Sequence, residues 1–290
     1  MGYLVLFAMT AVGLHLWRIK RRKDRPPVAF KLLRGPGETL RRKLAESDEN
    51  EFFRLLGAAL APWLVAYIPF SIAYRWKPQT LAEFCLLIGG SGLVFLAVLV
   101  LALRWTLGNL QRDRNNRLGY LGEREVAGHL QSLLAQGYHV FHDLPVRGTR
   151  APFNIDHVAI GPGGVAIVET KTRRKGRARP GRKDHEVIYD GRQLSWPCWG
   201  EDTHGLTQAL AEADWLRTFI RERTGIETPV KAILALPGWW VETRGTGAVT
   251  VVNSKAVAAV IAGRGQTALT AGQIDLITRA IDPLCRDVED

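Results

Sequence analysis

Three charged residues in the stretch Asn154–Lys171, NIDHVAIGPGGVAIVETK, have types and spacing that could do chemistry: Asp156, Glu169 and Lys171. The remaining positions alternate as two buried strands around a turn do, and an ionised group buried without a partner is very costly. Residues two apart on a strand share a face. Glu169 and Lys171 therefore point with Val165 and Ile167, and Asp156 points with Val158 and Ile160. The GPGG segment Gly161–Gly164 suits a tight reversal. A turn centred there pairs Ile160 with Val165 and sets Asp156 directly opposite Glu169. Cross-strand Cβ atoms lie about 5 Å apart, where like charges destabilise a sheet, so a cation is needed between them. Lys171 is one candidate; a divalent metal is a better one, because hard ions such as Mg²⁺ take one or two carboxylates plus water. The other reading, an exposed hairpin with a surface salt bridge, fits poorly with valine, isoleucine and alanine at the other positions.

Several elements must position these groups. Leu118–Ala135 reads as a helix in which Val126, Leu130 and Leu133 form an apolar stripe. Glu123, three residues before Val126 and seven before Leu130, projects from that stripe, whereas Glu125 does not. Glu123 either sees a metal or a base, or sits near the helix start and favours the dipole there. A strand at Tyr138–Leu144, the two strands of the charged stretch, and a basic, turn-rich excursion over Thr172–Thr203 follow. Then come a helix at Leu206–Arg223, strands at Val230–Leu236 and Ala248–Asn253, and a helix at Thr270–Cys285. Thr270 with Gln273 three positions on completes a capping-box pattern. This alternation of elements is that of an α/β sandwich.

Gly-Glu on a helix, then an aspartate on one apolar strand and Glu-x-Lys on the next, resembles the NERD (nuclease-related domain) family. That family is similar in turn to the PD-(D/E)XK nuclease superfamily. The resemblance covers roughly Arg117–Leu236. It implies an α/β, restriction-endonuclease-like core, a central mixed sheet flanked by helices. It makes Asp156 the first acid, Glu169-Thr170-Lys171 the E-x-K element, and Glu123 the acid of the first helix. It further implies Mg²⁺ or Mn²⁺ on Asp156, Glu169 and the backbone carbonyl of Thr170, assisted by Glu123. Lys171 takes the acid/base or water-orienting role. Ile155 stands where the superfamily often has proline, and the basic insert after Lys171 has no clear counterpart. Phosphodiester hydrolysis suits these groups from below as well. A metal on two carboxylates neutralises the phosphate and lowers the pKa of its water, and a lysine on the same face stabilises developing charge.

The run TRRKGRARPGRK contains Arg173, Arg174, Lys175, Arg177, Arg179, Arg182 and Lys183. Such runs are commonly solvated loops; next to a phosphate-cleaving site, contact with a nucleic-acid backbone is the better reading. Trp196 and Trp199 either stack on unpaired bases or pack beneath the loop. Gln208 either touches substrate or is an exposed polar position. His142, His157, His185 and His204 show no ligand pairing on one element, so a zinc site is not expected. P-loop, nucleophile-elbow and dinucleotide signatures are absent from the sequence.

The chain of 290 residues carries a formal net charge of +11 and a pI near 9.9, which favours polyanionic partners. Cys85, Cys198 and Cys285 are too few and scattered for a disulfide framework. Residues 1–104 read as a membrane region with spans near 3–17, 55–74 and 81–103, the last two about the length a helix needs to cross. A signal peptide over 3–17 fits less well, because its positive charges follow the apolar run. Arg18–Arg25 open a basic loop over 18–54, suited to topology and to anionic lipid headgroups. The positive-inside rule places both long segments in the cytoplasm. A linker over 105–117 and a nuclease-like domain over 118–290 complete the expected organisation. The expected protein is a multi-pass cell-membrane nuclease with DNA as its expected substrate class; the alternative is a non-catalytic, membrane-tethered module that recruits nucleic acid or protein.

Overall fold

The computed structural model describes residues 13, 30–75, 78, 80–146, 152–263 and 268–289. Apart from residue 13, the span expected over 3–17 and the basic cluster Arg18–Arg25 lie outside the described residues. A short strand β1 (Phe30–Leu33) leads into α1 (Glu38–Arg75), and after a brief connection α2 (Leu81–Leu130) returns alongside it. Thr80 caps α2, its hydroxyl accepting the Glu83 N–H at 3.2 Å. Both helices are long and apolar enough to cross a membrane, and almost nothing of either apolar window is buried. Pro62 and Pro69 lie inside α1 without ending it.

α2 is longer than the helix expected to begin at Leu118. Its 50 residues run from the apolar segment straight through the expected linker, 105–117, into the helix expected to begin at Leu118. In the same way, the part of the basic segment from Glu38 to residue 54 is the first part of α1. A change from apolar to charged side chains does not end a helix, which stops at a breaker or a cap and not where its surface becomes polar. Residues 104–120 contain no proline. The polar halves of the two helices are tied by Ser47 and Arg54, which both donate to Asp113 Oδ2, at 2.5 and 3.4 Å.

The last turn of α2 enters a five-stranded mixed sheet of β2 (His139–Val146), β3 (Phe153–Gly161), β4 (Gly164–Thr170), β8 (Val230–Ala235) and β10 (Val249–Val252). Its order is β10-β8-β4-β3-β2; β2, β3 and β4 are antiparallel neighbours, and β4, β8 and β10 are parallel. Every residue of β4 is buried, as a central strand covered on both faces requires. One face packs on α3 (His204–Thr224) and α5 (Ala271–Ile281) through residues such as Ile167, Leu216 and Ile277. The other packs on the end of α2 and the short α4 (Val257–Ala262) through Val126, Leu130, Val168 and Ile261. The capping box of Thr270 and Gln273 is present at the start of α5. β11 (Arg286–Glu289) returns to pair antiparallel with β1.

The excursion after Lys171 is more ordered than its turn-rich composition suggests. β5 (Glu186–Tyr189), β6 (Leu194–Trp196), β7 (Gly200–Asp202) and β9 (Trp240–Thr243) form a second sheet in the order β7-β6-β5-β9. Trp196 and Trp239, both buried, meet edge to face at 5.1 Å and join this sheet to the core on the α3 side of the main sheet.

Gly122 sets how closely α2 approaches the main sheet. A Cβ there would stand 2.1 Å from Thr172 Cγ2, whereas a Cβ at Gly128 meets nothing within 4 Å. Gly122→Ala is therefore expected to destabilise the chain by about 1–3 kcal/mol through overpacking. Gly128→Ala is expected to be neutral or stabilising by up to about 1 kcal/mol through helix propensity. Thermal unfolding of the two variants in parallel measures the difference; equal effects would mean that α2 does not sit against Thr172.

Candidate active site

The β3–β4 hairpin has the register expected from the GPGG turn. Ile160 pairs with Val165 and His157 with Val168. The same register carried one residue outward brings Asp156 to Glu169, and Asp156 Oδ2 accepts the Thr170 N–H at 2.7 Å. By strand alternation Asp156, Glu169 and Lys171 face α3. Gly205 in the first turn of α3 makes room there, since a Cβ would stand 3.1 Å from Lys171 Cγ and 3.2 Å from Leu234.

Lys171 Nζ lies 2.6 Å from Glu169 Oε1 and donates to Gln208 Oε1 at 2.8 Å. Gln208 Nε2 in turn donates to Glu212 Oε1 at 2.9 Å. Gln208 is thus a bridge within the charged cluster and not a free surface amide. Glu212, fully buried, is the functional candidate that the sequence reading missed. The signal was present: Glu212 lies three residues after Ala209 and four before Leu216, on the same buried stripe of α3.

Glu123 reaches the cluster from α2 and is buried. Because α2 begins at Leu81, Glu123 lies near its C-terminal end, so stabilisation by the dipole at a helix start does not apply. Burial, Asp143 and Glu169 push its pKa up to about 8, against a hydrogen bond from the Gly37 backbone. Burial and Glu169 raise Glu212 further, to about 9. Asp156 is raised well above the ordinary range by burial, Glu169, Glu123 and Glu212. Burial also raises Glu169, although Lys171 opposes it. Burial works against the Lys171 ammonium, but Glu169, Asp156 and Glu212 outweigh it and raise its pKa. Four carboxyl groups therefore share one lysine.

The donor set suits a hard divalent ion. Glu169 Oε2 and Glu212 Oε2 are buried without an N–H or hydroxyl donor, and the two carboxyls lie close enough to share a proton, a place that a cation could take instead. Among the described residues no group of three or more His, Cys, Asp or Glu side chains is arranged to cage a metal. The fit is to an ion held by one or two carboxylates and completed by water.

The other nominated residues divide into two groups. Arg173 pairs with Asp202 and lies over the Trp196 ring at 4.7 Å, while Arg182 donates to Ser195 Oγ and its carbonyl. Lys183 is bonded to Glu186, and Arg174 reaches back to Asn115 Oδ1 and the Arg114 carbonyl on α2. Lys175, Arg177 and Arg179 are exposed. Trp196 is core, whereas Trp199 is 56% exposed. On the far face of the sheet His142 and His157 meet Nδ1 to Nδ1 at 2.8 Å. Burial lowers His142 to about 4 and drives His157 well below the usual histidine range.

Proton linkage follows from the raised acids. Between the unfolded value of 4.5 and about 8 to 9, the folded chain holds protons that the unfolded chain has lost. Stability therefore falls as pH rises through that window, by up to about 1.4 kcal/mol per pH unit for each such proton. Mg²⁺ or Mn²⁺ binding should expel those protons. Titration calorimetry of the full chain in two buffers of different ionisation enthalpy is expected to show proton release that Glu212→Gln reduces. Binding without release would mean the ion lies elsewhere.

No curated protein and no solved structure matches the chain. Residues 118–237, which hold Glu123, Asp156, Glu169, Lys171, Gln208 and Glu212, match the family model of the nuclease-related domain (NERD).

Proposed function

We propose that the protein is a membrane-anchored, metal-dependent nuclease that hydrolyses phosphodiester bonds, with DNA as the substrate class. The observation that carries the reading is Asp156 opposed to Glu169-Thr170-Lys171 on paired buried strands, with the acids Glu123 and Glu212 gathered around the one lysine. The nuclease-related match over the same residues supports it. Asp156, Glu169 and the Thr170 carbonyl would hold Mg²⁺ or Mn²⁺, with Glu123 beside them. The ion would supply Lewis acidity and a water of lowered pKa. Lys171, kept protonated by its acidic neighbours, serves as a charge stabiliser and proton donor and is poorly suited to be a base. Gln208 fixes its ammonium.

α1 and α2 would anchor the chain in the cell membrane, with the span expected over 3–17 as a third crossing. The basic flanks would hold the domain on the cytoplasmic side, Arg18–Arg25 meeting anionic headgroups. One observation favours a second reading: Lys171 occupies Glu169 Oε1, and the acids do not form a three-ligand cage. A non-catalytic module recruiting nucleic acid or protein at the membrane would need no more.

A cleavage assay decides between them. The full chain, given supercoiled and single-stranded DNA with Mg²⁺, Mn²⁺ or EDTA, is expected to cut only with metal. Asp156→Ala and Lys171→Ala should each lower the rate by about 100-fold or more, the scale of one lost electrostatic group. Folded protein that binds DNA without cutting would establish the recruitment module.

A further inference from the structure

Two large aromatic side chains stand out on the surface of the domain. Trp199 is 56% and Trp240 is 65% exposed, and among the described residues from 118 onward no other aromatic is exposed to that degree. They lie far apart in sequence but at one end of the second sheet. Trp240 opens β9 and pairs with Glu186 at the start of β5; Trp199 precedes Gly200, which pairs with Trp196 at the end of β6. β5 and β6 are antiparallel, so these positions share an end. Across the order β7-β6-β5-β9 that end is about 14 Å wide, three strand spacings. That width is about four stacked nucleotides at 3.4 Å each.

The basic segment crosses this same end. The Arg179 N–H donates to the Pro197 carbonyl at 3.0 Å, two residues before Trp199, and its guanidinium lies close beside Gly200. Lys175 Nζ sits 5.6 Å from the ring of Trp239, next to Trp240, and the Trp240 N–H donates to the His185 carbonyl. Lys175, Arg177 and Arg179 are exposed. The acids nearby are largely answered: Glu186 is held by Lys183 and Glu242 by Arg244, leaving Asp184 and Glu201 exposed. From this end the backbone leads to Lys171, with the Arg173 carbonyl fixed by Trp239 Nε1 at 3.2 Å.

We propose that this end of the second sheet binds single-stranded nucleic acid, with Trp199 and Trp240 stacking on unpaired bases and Lys175, Arg177 and Arg179 tracking the backbone. Exposed aromatics alternating with cations are the means by which strands are held without sequence reading. A paired duplex hides the faces of its bases, so the two tryptophans favour unpaired substrate. An anionic lipid surface is the rival partner for tryptophan and arginine. Against it, Arg174 fastens the segment at Asn115, about 18 Å along α2 from the apolar end at Leu103. Delivery of the strand to Lys171 rests on the nuclease reading; the binding does not.

The test uses the full chain in phosphatidylcholine nanodiscs, in EDTA, with fluorescent oligo(dT) and a duplex of equal length, read by anisotropy. Trp199→Ala and Trp240→Ala, both at exposed positions, should each weaken oligo(dT) binding about tenfold and change duplex binding less than about twofold. Unchanged oligo(dT) affinity in folded variants, or an equal loss for duplex, would overturn the proposal. So would a blue shift of tryptophan emission, on adding phosphatidylglycerol to the nanodiscs, that disappears in the double variant. Single-strand binding that depends on both tryptophans in a protein that never cuts would sink the nuclease reading and leave this one standing.

Discussion

Four carboxyl groups in one small volume are the constraint on which the rest of the domain depends. Burial raises the proton affinity of Asp156, Glu169, Glu123 and Glu212, Glu169 adds to it at the other three, and one ammonium cannot neutralise them all. The elements around them keep the arrangement closed. The hairpin register opposes Asp156 to Glu169, Gly205 lets α3 settle on Lys171, and Gly122 lets α2 bring Glu123 in. Apolar residues of similar volume would be the more stable filling. A fold that gathers uncompensated acids is expected to use them on a charged ligand.

The parts of this site legible in the sequence were those fixed by local rules. A Pro-Gly turn sets a register, alternation sets a face, and Thr270 with Gln273 marks a helix start. Glu123 was legible as a residue on a buried stripe, but its alternative as a dipole partner fell once α2 was found to begin at Leu81. Glu212 carried the same stripe signal and was missed because no motif drew attention to α3. What local rules could not give was tertiary. The three short strands within 172–203 are joined by β9, which arrives from beyond α3 to complete their sheet, and Trp196 is core where Trp199 is surface.

The segment before α1 is a second feature that sequence alone does not show. Arg34 and Asp143, both buried, are 2.5 Å apart. Asp143 sits in the left-handed region at φ 49, which Asp tolerates better than most residues. Its Oδ2 also accepts the Thr39 N–H, and its Oδ1 accepts from Asn154 Nδ2, on the strand that carries Asp156. A buried pair of this kind adds little net stability, but removing one partner is strongly destabilising. Its effect here is geometric: the start of α1 is fixed to the edge strand β2 and its neighbour β3, and β1 with β11 adds a second tie.

The unbroken α2 has a consequence for what the site can reach. A helix rises 1.5 Å and turns 100° with each residue, so the twenty residues between Leu103 and Glu123 specify both a height of about 30 Å and a compass bearing. α1, packed alongside and tied to α2 through Asp113, braces that length, so the acid cluster is carried at the head of a stayed mast and not on a tether. Whatever reaches the acids must meet them at that height and on that bearing relative to the apolar end, before any chemistry of recognition begins.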